Sequence, residues 1–277
     1  MRIDAHQHYW SMARTDYGWI TDAMPVLYRD YGPEDLAIHL KRHNIDGTIV
    51  VQAAPTIEET MYLLSLADRS DSILGVVGWL DLFDPRHRAH FERFNEHPKF
   101  VGFRIMIQEM ADAGRVLEPA FVEALQSYAK MDVPVDLLVT ADQLDVLNEL
   151  LDAVPDVRGV IDHIGKPRIA EQVFEPWASQ IERASKHPKL HCKISGMVTE
   201  ADHQAWERGQ FTPYIEHALR AFGPERVMFG TDWPVSLLAA SYDEVVGVLD
   251  GAMPATWSDQ ELAKLYGGNA RRFYKLS

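Results

Sequence analysis

Short apolar runs rich in β-branched residues recur along the chain. Eight of them stand out, at Arg2–Asp4, Gly47–Gln52, Leu74–Leu80, Val101–Ile105, Pro134–Val139, Gly159–His163, Leu190–Ser195 and Val227–Gly230. Continuous apolar runs of this length are typical of strands that are buried on both faces of a parallel sheet. The pattern therefore predicts eight buried strands.

Helical spacing of apolar residues fills the intervals between these runs. The predicted helices are Glu34–His43, Ile57–Ala67 behind a Thr56 cap, a segment after Asp84-Pro85, Pro119–Ala129, Ala141–Leu151, Pro176–Ser185, Pro213–Ala221 and Asp243–Leu249. Strand starts lie about 25 to 45 residues apart, close to the length of a βαβ unit, with no linker between them. A single (β/α)₈ TIM barrel spanning residues 1–277 follows. The alternative is a doubly wound open sheet, but no Gly-rich phosphate loop follows the first strand.

Two segments lie outside this strand–helix repeat. An aromatic-rich stretch with Tyr9, Trp10, Tyr17, Trp19, Tyr28 and Tyr31 separates the first strand from the first helix, and we expect it to cover the barrel mouth. It is either a packed flap or a surface on which the apolar face of a sugar stacks. Near the other end, Ser258 and Glu261 have capping-box spacing. They predict a final helix that Gly267-Gly268 stops and that packs outside the barrel.

Composition narrows the classes of partner. A net charge of −14 disfavours binding to nucleic acid phosphates. Apolar runs fall short of the roughly 18 residues of a membrane span, and the first strand begins too early to leave room for a signal peptide. We therefore expect a cytoplasmic protein that does not bind membranes. The single cysteine, Cys192, excludes an intrachain disulfide and is expected to be packed in the core.

Chemistry-bearing residues lie where the predicted strands end, which is where barrel active sites lie. His6 and His8 are two residues apart on one strand, so their side chains share a face. His163 ends the sixth run and Asp232 follows the eighth. Gln52, Trp79 and Arg104 end three others. The convergence of three histidines and a carboxylate at strand ends predicts one shared catalytic site.

Five motifs together resemble a known family. They are Asp4-Ala-His-Gln-His8, Asp162-His-Ile-Gly-Lys-Pro167, Lys193-Ile-Ser-Gly-Met-Val-Thr-Glu-Ala-Asp202, Gly230-Thr-Asp-Trp-Pro234 and Gly268-Asn-Ala-Arg-Arg-Phe-Tyr274. This set is similar to the amidohydrolase superfamily, and more narrowly to its sugar lactonases of the L-fuconolactonase and L-rhamnonolactonase type. The resemblance spans nearly the whole chain. It implies a (β/α)₈ barrel that hydrolyses its substrate with an activated water.

The metal-binding residues of this chain differ from those of superfamily members that bind two metals. Members with two metals bridge them through a carboxylated lysine or a glutamate at strand four or five, and no such residue stands there in this chain. His6, His8, His163 and Asp232 could hold at most one Zn²⁺, whose preferred ligands are imidazole and carboxylate. The resemblance further implies that such a metal can bind without being required for activity.

Provisional roles follow from the chemistry of ester hydrolysis. Asp232 is expected to act as general base toward water, and the proton donor to the ring oxygen would be protonated Asp232 or His163. Arg104, with His6 and His8, would stabilise the oxyanion. Alternatively, Arg104 pairs with Asp81 or Asp136 as part of the scaffold. The substrate contacts are expected from Trp10, Trp19, Gln52, Trp79, Lys166 and Trp233.

The predicted activity is therefore opening of a deoxy-sugar lactone such as L-fuconolactone, a step of L-fucose degradation. One alternative is a Zn-dependent decarboxylase of an aromatic acid from the same superfamily. Another, of a different class, is a noncatalytic barrel that binds sugar acids. The only partner expected is the small-molecule lactone, and the sequence does not specify an oligomeric state.

Overall fold

The eight apolar runs form eight strands whose residues are almost entirely buried. The structure is a computed structural model that describes residues 1–276. Its strands are β1 (Ile3–Gln7), β2 (Gly47–Val51), β3 (Ile73–Trp79), β4 (Phe100–Met106), β5 (Pro134–Leu138), β6 (Arg158–Ile161), β7 (His191–Ile194) and β8 (Val227–Phe229). All are parallel and lie in chain order, β1 beside β2 through to β8.

The sheet closes on itself at the carboxyl ends of its first and last strands. The amide of His8 donates to the carbonyl of Trp233 at 2.7 Å, and the amide of Asp232 donates to that of His6 at 2.8 Å. Together with the unbroken parallel order, these bonds confirm the (β/α)₈ barrel and exclude an open doubly wound sheet.

Helices follow the strands as the sequence predicts, with boundaries shifted by a residue or two at most positions. They are α1 (Pro33–Arg42), α2 (Ile57–Ala67), α3 (His87–Asn95), α4 (Pro119–Lys130), α5 (Leu144–Ala153), α6 (Trp177–Ala184), α7 (Thr212–Phe222), α8 (Tyr242–Gly251), α9 (Asp259–Ala263) and α10 (Asn269–Phe273). The Thr56 cap is confirmed, since its hydroxyl accepts from the amide of Glu59. None of the helices within residues 1–276 is both long enough and apolar enough to span a membrane.

A bulge in β1 decides where its histidines point. Asp4 is the partner of Thr48 and Gln7 the partner of Val50, so three steps on β1 match two on β2. Asp4 faces outward and accepts hydrogen bonds from Thr231 and Tyr242. Regular alternation would turn His6 to that same side. The extra residue instead turns His6 and His8 into the barrel.

The segment between β1 and α1 is a packed cover. Trp10 and Tyr31 pair as an isolated antiparallel bridge, and Trp10, Tyr17 and Tyr31 are all buried. Trp19 packs edge-on against Trp10, and its indole donates to the carbonyl of Ala53 at 2.8 Å. The flap is therefore fixed to the loop after β2.

The predicted end of the final helix is confirmed in part. Gly267 has non-helical backbone angles and breaks the helix, but the chain then continues as α10, which the sequence did not predict. A Cβ on Gly267 would lie 2.4 Å from the carbonyl oxygen of Met1, so this glycine permits close approach of the N-terminal strand. The predicted helix packs outside the barrel, where Leu265 belongs to the apolar cluster shared with the outer helices. In contrast, α10 closes the floor of the barrel, where Ala270, Phe273 and the following Tyr274 pack against inward-facing residues of the strands.

We predict that Phe273→Ala lowers the free energy of unfolding by about 3 to 5 kcal/mol, because it opens a cavity in this floor. Urea unfolding followed by circular dichroism measures the change. Ile38→Ala is the control, since Ile38 is 61% exposed and its removal should change stability by less than about 0.5 kcal/mol. Equal, small effects of the two substitutions would show that α10 does not contribute to the core.

Candidate active site

Four candidate groups meet at the carboxyl end of the barrel. The Nε2 atoms of His6 and His8 are 3.2 Å apart, and His8 Nε2 lies 3.2 Å from Asp232 Oδ1. His6 Nε2 and His163 Nε2 lie 3.7 and 3.8 Å from the same oxygen. β1, β6 and β8 thus bring together residues from both ends of the chain and from its middle.

Two of these residues lie in a backbone conformation that is unfavourable for them. His163 has φ of 54° and Asp232 has φ of 58°, both in the left-handed region. For residues other than glycine this region costs on the order of 1 kcal/mol or more, and such strain concentrates at functional sites. The surrounding contacts hold it in place. The amide of Asp232 is bonded to β1, and Nδ1 of His163 is bonded to the Ser195 hydroxyl at 2.9 Å.

Burial sets the charge state of the cluster. It lowers the pKa of His163 to about 4 and that of His6 well below its ordinary value, although nearby carboxylates oppose the shift. Burial alone would raise the pKa of Asp232, but the neighbouring His163 ring, the hydrogen bond with His8 and the His6 ring hold it below its ordinary value. Asp232 is therefore an ionised carboxylate at neutral pH, while His6 and His163 are neutral.

Arg104 lies at the edge of this cluster and is 3% exposed. Its Nη2 donates to the carbonyl and to the side-chain oxygen of Gln52, and its Nη1 lies 3.4 Å from Asp162 Oδ2. The expected scaffold pairing with Asp81 or Asp136 is wrong, because Asp136 pairs with Lys193 and Asp81 accepts from the amide of Phe83. Its Nε–H makes no hydrogen bond within the described residues.

A cavity of about 180 Å³ opens beside Asp232. Its polar lining comes from His8, Arg104, Gln108, Glu109, His163, Lys166 and Asp232. Its apolar lining comes from Trp19, Ala53, Met106, Leu138 and Val235. The cavity therefore combines apolar surface with groups that can exchange hydrogen bonds and protons with a small ring.

The expected substrate contacts divide by position. Trp19 and Lys166 line the cavity, whereas Gln52 lies behind Arg104. Trp10 and Trp233 are buried among the flap aromatics, where Trp233 packs edge-on against Tyr31. Trp79 lines a neighbouring hollow with Asp81. Sequence spacing could not separate these aromatics, because burying an aromatic ring in the cover gives the same pattern as exposing it to a ligand.

Comparison with known proteins gives three relevant matches and a family. L-fucono-1,5-lactonases from Burkholderia ambifaria and Burkholderia multivorans are each 37% identical, over 99% and 100% of this chain and 96% of each relative. A crystal structure of an amidohydrolase from Burkholderia multivorans with bound zinc is 37% identical, covers 100% of both chains and superposes with a TM-score of 0.93. The amidohydrolase family model matches residues 3–276. This chain belongs to the amidohydrolase family.

The donor set of this amidohydrolase fits a single divalent metal. Zn²⁺ in tetrahedral coordination holds its ligands about 2.0–2.1 Å away, which places donor atoms about 3.3 Å from one another. The donor separations among His6, His8, His163 and Asp232 run from 3.2 to 3.8 Å where they meet His6 Nε2 or Asp232 Oδ1. His6, His8 and Asp232 lie close enough together to ligate one such ion, and His163 belongs to a second close group with His6 and Asp162.

The sequence interpretation missed the charged floor beneath the site. Lys193 of β7 is fully buried and contacts Asp136 of β5, Asp162 and His6. Tyr274, from the segment after α10, donates to Asp136 at 2.7 Å. A signal was present, since a lysine and an aspartate inside apolar strands buried on both faces must find charged partners. Which partners they find depends on the barrel's closure.

A second missed group fixes the loop after β2. Glu59 of α2 is fully buried, and its two carboxylate oxygens accept from the amides of Ala53 and Ala54 at 2.8 and 2.9 Å. Burial raises the pKa of Glu59 to about 8, against the effect of those two hydrogen bonds. Because Ala53 lines the cavity, Glu59 holds one wall of the site from behind.

We predict that Gly196→Ala damages the site through His163. A Cβ at this position would lie 2.3 Å from His163 Nδ1, so the imidazole must move. Because a misplacement of about 1 Å in an active site is enough to slow catalysis about 100-fold, we expect kcat to fall by about 100-fold. Steady-state hydrolysis by the folded variant measures the loss, on any substrate that the wild-type protein turns over.

Gly223→Ala is the matched control for that experiment. Gly223 has φ of +66°, close to the +60° of Gly196, but a Cβ there meets nothing within 4 Å. It should lower stability by roughly 1 kcal/mol from the left-handed backbone alone and leave kcat unchanged. A similar loss of kcat in both variants would attribute the effect to backbone strain, contrary to the predicted contact.

Proposed function

We propose that this chain hydrolyses a deoxy-sugar lactone of the L-fuconolactone type to the open sugar acid. The observation that carries the proposal is an ionised carboxylate, Asp232, at the wall of a small cavity and surrounded by imidazoles. Its nearest neutral neighbours, His6 and His163, leave it able to accept a proton. Relatives named as L-fucono-1,5-lactonases, 37% identical over nearly the full chain, support the choice of lactone.

In the first step, Asp232 takes a proton from a water molecule as the water oxygen bonds to the lactone carbonyl carbon. The carbonyl π pair moves onto oxygen and gives a tetrahedral oxyanion. Arg104 is the cation we assign to stabilise it, because it lines the cavity and its Nε–H is uncommitted within residues 1–276. His8 also lines the cavity, and we assign it to assist Arg104 in stabilising the oxyanion.

In the second step, the oxyanion collapses and the bond between the carbonyl carbon and the ring oxygen breaks. The departing alkoxide needs a proton. Asp232 now carries the proton taken from water, whereas His163 has no imidazolium proton to give at neutral pH, because burial lowers its pKa to about 4. We therefore assign the donation to Asp232, which returns to its carboxylate form as the hydroxy acid leaves.

The cavity walls suit a compact ring with one apolar face. Trp19, Met106 and Leu138 offer apolar surface, and Gln108 and Lys166 can bond to hydroxyls. Lys166 Nζ lies 3.5 Å from Glu200, so its charge is partly balanced. That balance favours a neutral polyhydroxylated lactone over one that carries a carboxylate.

We propose Zn²⁺ as the ion that His6, His8, His163 and Asp232 can hold. When bound, such an ion polarises a carbonyl oxygen or lowers the pKa of a water molecule. We expect it to be dispensable, because Asp232 can activate water as a general base. The relative with bound zinc supports the identity of the ion.

The two alternative functions are not favoured. An aromatic-acid decarboxylase would share the barrel and the histidines, yet the relatives at 37% identity are named as lactonases. A noncatalytic sugar-acid barrel does not require a carboxylate held ionised beside three histidines. Lactone hydrolysis accounts for the ionised carboxylate among the histidines and agrees with the names of the relatives.

We predict that Asp232→Asn loses lactonase activity by about 100- to 10,000-fold, because an amide cannot accept the proton of water. A pH-indicator assay on L-fuconolactone, L-rhamnonolactone and related lactones, with and without prior chelation, measures it. Asp156→Asn is the matched control, since its side chain is 80% exposed and lies on the surface. Undiminished turnover by folded Asp232→Asn would refute the assignment of the base.

The lactone panel also separates the alternatives. Acid release by the wild-type protein that survives chelation supports hydrolysis without a required metal. Loss on chelation with recovery on Zn²⁺ would make the metal essential. Absence of acid release from every lactone, with carbon dioxide released from aromatic acids, would replace the proposal with the decarboxylase.

We further predict that kcat/KM is level from about pH 6 to pH 8 and falls only near pH 4. The folded protein disfavours the His163 imidazolium, since burial lowers the pKa of His163 to about 4, so this histidine protonates well below 6.5. A rate profile on a lactone stable over that range, corrected for spontaneous hydrolysis, tests it. An acid limb centred near pH 6.5 on folded protein would contradict the prediction.

A further inference from the structure

The fully buried ammonium of Lys193 lies under the histidine cluster. Its Nζ is hydrogen-bonded to Nδ1 of His6 at 3.1 Å and to Asp136 Oδ2. It also lies 3.2 Å from Asp162 Oδ1. An ammonium has three hydrogens to donate and no acceptor, so any hydrogen bond between it and His6 requires Nδ1 to carry a lone pair.

A second group competes for the same imidazole nitrogen. Asp162 Oδ1 lies 3.2 Å from His6 Nδ1, and a carboxylate there would favour a hydrogen on Nδ1. The two neighbours therefore demand opposite tautomers. The geometry favours Lys193, because its contact with His6 Nδ1 at 3.1 Å is well aligned for a hydrogen bond, whereas Asp162 Oδ1, 3.2 Å from the same nitrogen, is poorly aligned.

The opposite edge of the His6 ring shows why its tautomer matters. Its Nε2 faces His8 Nε2 at 3.2 Å and Asp232 Oδ1 at 3.7 Å. His8 Nδ1 lies 2.7 Å from the carbonyl oxygen of Val51, which can only accept, so the hydrogen of a neutral His8 is on that side. If His6 carries its hydrogen on Nδ1, the lone pairs of His6 Nε2, His8 Nε2 and Asp232 Oδ1 face one another. A proton or a cation must then lie between them.

We propose that Lys193 is a positioning residue that holds His6 as the Nε2–H tautomer and so opposes metal binding by the cluster. In this state the hydrogen on His6 Nε2 lies between this nitrogen and the two remaining acceptors, His8 Nε2 and Asp232 Oδ1. A metal ligand needs the lone pair of Nε2, so metal binding requires the proton to move to Nδ1, where Asp162 accepts it. The hydrogen bond from Lys193 to His6 and coordination by His6 are mutually exclusive.

This inference does not depend on the substrate, so its test needs no turnover. Imidazole ¹⁵N NMR at pH 7.5 distinguishes the two tautomers, and the His6 signals are assigned by their loss in His6→Gln. We expect Nε2–H in the chelated wild-type protein and Nδ1–H after Zn²⁺ is added. An Nδ1–H tautomer in the metal-free wild-type protein would overturn the proposal.

Zinc affinity provides the second readout. Removal of the buried charge in Lys193→Met should tighten Zn²⁺ binding by at least about tenfold, measured by competition with a chromophoric chelator. Lys166→Met is the matched control, because this second lysine lines the cavity but does not contact His6. Unchanged affinity in Lys193→Met, or equal tightening in both variants, would overturn the proposal.

Lys193→Met leaves Asp136 without its cation and could unfold the protein. The double variant Lys193→Met/Asp136→Asn removes both charges, and the new amide at position 136 can still accept from the Tyr274 hydroxyl. If the single variant does not fold, zinc affinity is measured on this double variant. Thermal unfolding monitored by circular dichroism confirms that the variant used is native. The tautomer of the wild-type protein, which requires no substitution at Lys193, decides the question if neither variant folds.

Discussion

Closure of the barrel at the carboxyl ends of β1 and β8 is the constraint on which the site depends. Two backbone hydrogen bonds, from His8 to Trp233 and from Asp232 to His6, join segments that lie 224 residues apart. Closing so long a loop is entropically unfavourable until the strands between are paired, so the cluster forms only when the barrel is complete. The same two bonds that close the sheet fix the distance between Asp232 and the histidines around it.

Strand-end polarity identified the site because a closed parallel barrel brings all its carboxyl ends to one face. The eight runs, the βα alternation and the convergence of His6, His8, His163 and Asp232 follow from local pattern and that single geometric rule. Local pattern does not encode the extra residue of β1, which turns the histidines inward. It also does not encode the left-handed backbone of Asp232, which only long-range contacts can impose.

The aromatic residues show a second limit of prediction from the sequence. Trp10, Trp19, Trp79 and Trp233 have the same character in the sequence, and only Trp19 lines the cavity beside Asp232. The others fill the cover or a neighbouring hollow, where a large ring is equally favourable. The helix α10 was missed for a related reason. Gly267 correctly signals a break in the helix, but that the chain resumes as a helix beneath the strands depends on tertiary contacts.

Charge balance below the site distinguishes Asp232 from the other buried carboxylates. Asp136 and Asp162 are buried beside Lys193 and Arg104, so two anions face two cations. Asp232 has no lysine or arginine within salt-bridge distance among residues 1–276, and two of its histidine neighbours, His6 and His163, are kept neutral by burial. A carboxylate whose charge is met by polarisable rings rather than fixed cations can take up a proton and release it within one catalytic cycle.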